Sequence, residues 1–187
     1  MSTAYTELLD FGQHLLPRML TQVCRDPGHP GYGSFDRNWW HYKIRDFSSI
    51  ILQQGGYAVL CASTLPAHSE HADALTRLAS ASCRFWNTRA KKHGAFEEYY
   101  PWEQGYPPVA FSSLAVAKMT AEGVLSVQEV SEGLKIAVDQ LLNRFESKAT
   151  NQQVAGTAAV CWIRKIAPEL VDETAFHSLC DKTLACQ

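Results

Sequence analysis

The segment Gln152–Ile163, QQVAGTAAVCWI, is mostly apolar and rich in small residues. Its apolar spacing predicts a helix over 151–166, which Pro168 ends. The segment is apolar on nearly every side, and such a helix is usually buried on every side. Gly156 lies in its middle, where glycine costs about 0.5–1 kcal/mol relative to alanine. We therefore expect an inner helix against which a neighbouring backbone packs closely.

Two other segments share this composition, and the remaining ones differ from it. QQGGYAVLCA and FSSLAVAKM are also apolar nearly all round and rich in small residues, and the second follows Pro107 and Pro108, which suit a first helical turn. The helices before and after FSSLAVAKM have one polar face, and Ser126 is the predicted N-cap of the later one. Pro17 should kink or limit the first helix. The predicted helices besides 151–166 span 4–24, 44–62, 68–91, 108–121, 127–147 and 172–184.

This order alternates outer and inner helices along the chain. It predicts an all-α fold: an α/α hairpin array, or incomplete toroid, of about seven helices in a single domain, 1–187. The connections that lead from an outer to an inner helix carry the unusual residues, and they should lie together at one end of the array. An open array leaves inner helices uncovered, so we expect a homo-oligomer or a partner chain that completes the ring.

Composition and charge exclude several classes of function. A net charge of −2 and a pI near 6.4 argue against a nucleic-acid partner. No apolar stretch reaches about 18 residues, and the N-terminus lacks a basic region before its apolar residues, so we expect no membrane partner and a cytoplasmic protein. The six cysteines form no CxxC pair and are expected to be buried, reduced thiols. The pair His68 and His71 lacks a third metal ligand, and no cofactor motif occurs, so no metal or cofactor is expected.

Two connections, 31–46 and 94–108, concentrate aromatic and charged side chains. Aromatic faces stack on the C–H surfaces of sugar rings, while charged groups bind hydroxyls or carboxylates, so a carbohydrate is the natural ligand class. The alternative is that these aromatic residues only plug the end of the helical array. The residues expected to bind substrate are Trp39, Trp40, Lys43, Arg45, Asp46, Tyr100 and Trp102, with Asn151 and Gln152 from the start of the sixth helix.

The same loops contain candidates for catalysis. His41 suits proton transfer near neutral pH, and Tyr99 could act with it in proton abstraction beside a uronate carboxylate. Arg45 or Arg37 would neutralise that carboxylate. The carboxylates Glu97, Glu98 and Glu103 could supply the pair that glycoside hydrolysis needs. Asn151 is predicted first as the N-cap of its helix.

The segments FDRNWWHYKIRDFSSIILQQG, FEEYYPWEQGYPPVAFSSLAVAKM and NQQVAGTAAV resemble the helical domain of bacterial proteins related to heparinase II/III-type polysaccharide lyases. The resemblance covers roughly 31–163 and implies an incomplete α/α toroid that works on acidic or complex glycans. It also implies proton chemistry by a Tyr, a His and an Asn, for which the matching residue types are Tyr99 or Tyr100, His41 and Asn151. Toroid enzymes of this kind are usually much longer than this chain.

Three hypotheses follow from the sequence. The first is a carbohydrate-active protein that acts on or binds an acidic polysaccharide or oligosaccharide, by lyase or glycosidase chemistry if it is an enzyme. The second is a non-catalytic module of a polysaccharide biosynthesis or modification pathway. The third is a small all-α enzyme for an apolar substrate, which is weaker because no Asp-rich metal motif occurs.

Overall fold

The architecture follows from the pairing of helices in a computed structural model, which describes residues 3–35, 49–94, 96–98, 100 and 102–186. This part of the chain is all-α, as predicted, and contains two isolated β-bridges but no strand. The seven α-helices are α1 (Thr3–Leu20), α2 (Gly55–Ser63), α3 (Ala72–His93), α4 (Tyr106–Ala121), α5 (Val127–Asn143), α6 (Thr150–Ile166) and α7 (Glu173–Leu184). Short 3-10 helices span Ile50–Gln54, Pro66–His71 and Pro168–Leu170.

The helices pack in two layers. In one layer α4 lies between α2 and α6, and in the other α5 lies between α3 and α7. The layers join where α2 packs on α3, α4 on α5 and α6 on α7. This is the pairing order that an array of α/α hairpins requires. Closure of the layers into a toroid stays a prediction.

The core lies between these layers, and α4 is its centre. Eleven of the sixteen residues of α4 are buried, as the composition of FSSLAVAKM predicted. The expectation of burial on every side is wrong for α6, whose Val154 is 40% exposed and whose Cys161 is also exposed. A second, smaller apolar cluster joins the end of α1 and the segment around Phe35 to α2 and α3.

Glycines allow close approaches between helices, but the neighbouring atoms belong to side chains rather than to a backbone as the sequence predicted. A Cβ atom on Gly56 of α2 would collide with the Ser82 side chain of α3, and one on Gly156 of α6 would collide with the Tyr106 hydroxyl of α4. Neither gap can hold a methyl group without displacing a buried neighbour. These positions set the spacing between adjacent helices.

Several helix boundaries differ from the predictions. The first helix ends at Leu20 rather than residue 24, because Val23 pairs with Phe35 in an antiparallel bridge; Pro17 lies inside the helix. Residues 50–54, predicted as α-helix, form a 3-10 helix. The fifth helix ends at Asn143 rather than 147, because Arg144 is extended. Its N-cap is Ser126, as predicted, and the Ser126 N–H donates to the Glu129 carboxylate at 3.1 Å.

Candidate functional site

The loop 94–105, which connects α3 to α4, contains six of the predicted site residues, and the structure describes five of them. Its two ends are held together, since the Gly105 N–H donates to the Phe96 carbonyl at 3.1 Å. The Gln140 side chain of α5 donates to the Gly94 carbonyl at 2.7 Å. We call this loop the 94–105 loop. These hydrogen bonds hold the ends of the loop against each other and against α5.

Glu97 is the buried centre of the 94–105 loop and is only 2% exposed. One carboxylate oxygen, Oε2, lies 2.7 Å from Nη2 of Arg89 on α3. The other, Oε1, accepts a hydrogen bond from the Trp102 N–H at 3.0 Å. A buried charge needs such partners, because removing one of them leaves the other desolvated and unpaired. The Glu97 carboxylate therefore fixes the loop to α3.

Glu103 organises the outer half of the same loop. Its Oε2 accepts hydrogen bonds from the backbone N–H groups of Glu98 at 3.1 Å and Tyr100 at 3.4 Å. The Glu98 side chain is half-buried. A carboxylate that accepts backbone N–H bonds acts as a fixed turn element. Of the three carboxylates predicted for catalysis, Glu97 and Glu103 thus have clear structural contacts.

Trp102 has an unusual backbone. The Glu103 N–H donates to the Tyr100 carbonyl at 3.4 Å, which closes a turn with Trp102 at its third position. Its φ is +69°, in the left-handed region. Turns with positive φ at this position normally have Gly or Asn there, since a left-handed conformation costs other residues about 1–2 kcal/mol. The chain tolerates this cost while leaving the indole 64% exposed.

Tyr100 begins this turn, and its side chain is 66% exposed. Tyr100 and Trp102 are among the most exposed large apolar side chains of the part of the chain whose burial is described. The turn therefore presents two aromatic side chains to solvent from a backbone held by Glu97 and Glu103. We call Tyr100 and Trp102 the aromatic turn.

Residues that flank neighbouring helices also contact the 94–105 loop. The Ile50 N–H and the Ser49 hydroxyl both donate to the Glu97 carbonyl, at 3.0 and 3.1 Å. Arg144, which follows α5, donates from Nη2 to the Gln104 carbonyl at 3.0 Å. The loop thus lies beside the residues that precede α2 and the residue that follows α5, and the expectation that the connection 31–46 lies at this end stays a prediction, because residues 36–46 lie outside the described residues.

A buried amide links this region to α6. Gln153 Oε1 accepts hydrogen bonds from the Tyr106 hydroxyl at 3.0 Å and from the Glu146 N–H at 2.8 Å. Its Nε2 donates to the hydroxyls of Thr157 and Thr183 at 3.2 and 3.1 Å. Burial, with a smaller contribution from the nearby Glu146 carboxylate, raises the pKa of Tyr106 to about 12. The phenol is therefore a neutral donor that supports the base of the loop.

The predicted site residues fall into three groups. The structure brings Glu97, Glu98, Glu103, Tyr100 and Trp102 together in one loop. Asn151 is exposed and Gln152 half-buried in the first turn of α6, whose N-cap is Ala149, so the predicted N-cap role of Asn151 is wrong. The predicted residues that lie outside the described residues are Arg37, Trp39, Trp40, His41, Lys43, Arg45, Asp46 and Tyr99.

Sequence reasoning missed Arg89 and Gln153, which hold the site together. Arg89 is separated from Glu97 by the end of a helix, so no helical spacing connects the pair. Gln153 follows Asn151 and Gln152 in the sequence, and only its complete burial distinguishes it from them. Their partners are set by tertiary packing, which local patterns do not encode.

Comparisons with protein-family models, curated proteins and solved structures find no match to this chain. Among the described residues, no three His, Cys, Asp or Glu side chains form a group that could hold a metal ion. No helix in this part of the chain is long and apolar enough to span a membrane. The geometry of the 94–105 loop is therefore the basis for a functional proposal.

Proposed function

We propose that this protein binds carbohydrate through the aromatic turn of the 94–105 loop, as a non-catalytic module. The observation that carries the proposal is the backbone of Trp102. Residues held in sparsely populated conformations persist where the surrounding structure determines them, and they are frequent at ligand-binding sites. Here the conformation exposes an indole, which folding alone would favour burying.

The composition of the turn favours a sugar as the ligand. Aromatic side chains offer large, rigid contact areas with little loss of conformational freedom, and their polar atoms bind hydroxyl groups. The hydrogen bonds of Glu97 and Glu103 fix the turn before a ligand arrives, which lowers the entropic cost of binding. A preformed aromatic surface is suited to stacking on a sugar ring.

The carboxylates favour binding over catalysis. Proton transfer by Glu97 would require it to leave Arg89 and the Trp102 N–H, and so to release the turn that holds the ligand. We therefore assign Glu97 to positioning. Selective binding of an acidic glycan would depend on cations such as Lys43 and Arg45, which lie outside the described residues. Neutral and uronate-containing oligosaccharides are accordingly both included in the test.

The test is a glycan-array screen with the purified chain, followed by titration calorimetry on the sugars that bind. We expect saturable binding that weakens about tenfold, or about 1.4 kcal/mol, in Trp102→Ala. The control is Phe145→Ala, which removes an exposed aromatic residue outside the loop and should leave binding unchanged. Mass spectrometry of the bound sugar distinguishes a binding module from an enzyme.

A second variant separates binding from folding. Trp102→Gly removes the indole and relieves the left-handed strain, while glycine adds its own cost of about 0.5–1 kcal/mol. The free energy of unfolding should therefore change by less than about 1 kcal/mol while sugar binding is lost. If Trp102→Gly unfolds the chain, or if sugar binding is absent or survives in the variants, the proposal is wrong.

A further inference from the structure

A cavity lies at the N-terminal end of α3, away from the 94–105 loop. It has a volume of about 360 Å³ and is bounded by the end of α1, the turn that follows it, the 3-10 helix Pro66–His71 and the first turns of α3. Small-molecule sites commonly occupy about 300–1,000 Å³. The apolar part of its wall comes mainly from Leu16, Leu20, Tyr32, Leu75 and Leu78.

The polar part of the wall is basic. Arg25, His68, His71 and Arg77 line the cavity, and no Asp or Glu is among its described lining residues. Neither Arg25 nor Arg77 has an ion-pair partner within the described ranges. Arginine is always charged, and its planar group matches the geometry of carboxylates and phosphates. The cavity thus combines an apolar wall with uncompensated positive charge.

His68 has an unsatisfied nitrogen in the same wall. Its Nε2 is buried and has no hydrogen-bond partner in the described structure. Leaving a buried polar atom unpaired is costly, so buried polar groups are nearly always satisfied. Because this nitrogen is inaccessible to solvent, a ligand oxygen would become its partner only when the imidazole turns toward the cavity that His68 lines.

We propose that this cavity binds a small amphipathic carboxylate, a compound with one carboxylate group and a short apolar chain. The chain would pack against the leucines of α1 and α3, and the carboxylate would lie among Arg25, Arg77 and the two histidines. Guanidinium groups bind carboxylates through two parallel hydrogen bonds, which gives such a site its selectivity for the anion.

This site is separate from the proposed carbohydrate surface. Arg77 and Arg89 are twelve residues apart on α3, which corresponds to about 18 Å along the helix axis. Arg77 lines the cavity, whereas Arg89 holds the 94–105 loop. Failure of one proposal therefore leaves the other intact.

The experiment compares octanoate with 1-octanol, which has the same chain length without the charge. In a two-dimensional NMR titration of the isotope-labelled full chain, octanoate should shift amide resonances at the end of α1 and the start of α3 in a saturable way. We expect 1-octanol to bind at least about tenfold more weakly, a difference of about 1.4 kcal/mol. Equal affinity of the two compounds, no saturable binding, or shifts centred elsewhere would overturn the proposal.

Paired variants then test the two arginines. The double variant Arg25→Gln, Arg77→Gln should weaken octanoate binding at least about tenfold and leave 1-octanol binding unchanged. Both arginines are exposed, so the fold should survive, as the NMR spectrum will report. The control Lys135→Gln, Lys182→Gln removes the same charge at exposed positions outside the cavity and should have no effect. An equal loss in the control would mean that net charge, rather than this cavity, attracts the anion.

Discussion

Two buried glutamines show how single residues join loops to helices in this fold. Gln53 accepts a hydrogen bond from the Phe35 N–H at 3.0 Å and donates one to the Ser49 carbonyl at 3.0 Å. Its side-chain amide thus satisfies backbone groups of both segments, as a neighbouring backbone would. Gln153 has a similar position at the base of the 94–105 loop. Buried amides are stable only when their hydrogen bonds are satisfied. Each glutamine therefore fixes the conformation of the segment that it contacts.

The contact between Tyr106 and Gln153 gives a prediction for stability. Tyr106→Phe removes a hydrogen bond to Gln153 Oε1 but leaves the one from the Glu146 N–H. Because a typical hydrogen bond contributes about 1 kcal/mol net, we expect the free energy of unfolding at pH 7 to fall by about that amount. Urea denaturation of wild type and variant measures the difference. A variant as stable as wild type would mean that the phenol is not part of the amide network.

The same substitution changes the dependence of stability on pH. The pKa of Tyr106 is raised from 10.0 to about 12 in the folded state, chiefly by burial. Between these values the unfolded chain loses the phenolic proton first, so the free energy of unfolding falls as pH rises. Below pH 10 this contribution is fully present. Urea titrations between pH 9 and 12 should show a shallower loss for Tyr106→Phe than for wild type; equal slopes would contradict the assignment.

At the residue scale, the sequence predicted the types of side chain in the site better than their roles. The exposure of Tyr100 and Trp102 agrees with their expected availability to a ligand. The carboxylates of Glu97 and Glu103 were predicted for catalysis, which remains untested, but their contacts hold the loop. Both uses require a carboxyl group in a loop, so composition does not distinguish them. Only the positions of Arg89 and the backbone N–H groups do.

At the scale of elements, boundaries set by local chemistry were predicted well. Ser126 is the N-cap of α5, and Pro107 and Pro108 lie in the first turn of α4. Boundaries set by tertiary contacts were not. The fifth helix ends early where Arg144 turns to bind the Gln104 carbonyl, and the apolar pattern beyond it gave no sign of this contact.

One glycine lets α3 approach the backbone of α5 closely. The Asn87 amide of α3 accepts from the Gly133 N–H at 2.8 Å and donates to the Glu129 carbonyl at 2.9 Å. These two backbone groups are four residues apart and would normally pair within α5. A Cβ atom on Gly133 would lie 2.6 Å from both Asn87 Oδ1 and the buried Trp86 ring. The absence of a side chain lets α3 reach the backbone of α5.

Two glycine substitutions should therefore have opposite effects. Gly133→Ala should destabilise the protein by about 1–3 kcal/mol, because the added methyl group overpacks the contact between α3 and α5. Gly12 of α1 has no atom within 4 Å of an added Cβ, so Gly12→Ala should stabilise the helix by about 0.5–1 kcal/mol. Thermal and urea unfolding measure both. If Gly133→Ala is as stable as Gly12→Ala, the close packing of α3 on α5 is wrong.

At the scale of the molecule, the alternation of apolar and amphipathic helices predicted the two layers. The alternation did not predict which sides of the apolar helices are exposed to solvent, because alanine, glycine and cysteine occur both in a packed interior and on an exposed face. Cys61 of α2 and Cys161 of α6 are exposed, contrary to the expectation that the cysteines are buried. The expected oligomer or partner chain that would cover these helices remains a prediction.

The six thiols report on the packing of the whole molecule. Cys24 and Cys83 are buried, Cys180 is half-buried, and Cys61, Cys161 and Cys186 are exposed. Because the thiolate is the reactive form, Cys83 is protected twice, by its inaccessibility and by burial that raises its pKa to about 12. In the native protein at pH 8, a chromogenic disulfide reagent should react fast with the three exposed thiols and more slowly with Cys180.

Cys24 and Cys83 should react only as fast as the protein opens. The variants Cys24→Ser and Cys83→Ser each remove one of these two slow thiols, and so assign each slow reaction to its cysteine. Unfolding in guanidinium should make all six react at once, which supplies the control. The two slow thiols belong to different parts of the fold: Cys24 follows α1, whereas Cys83 lies in the main apolar core. If Cys24 reacts before Cys83, the region around α1 opens on its own, because local unfolding needs less free energy than global unfolding. Fast reaction of all six native thiols would contradict the packed layers themselves.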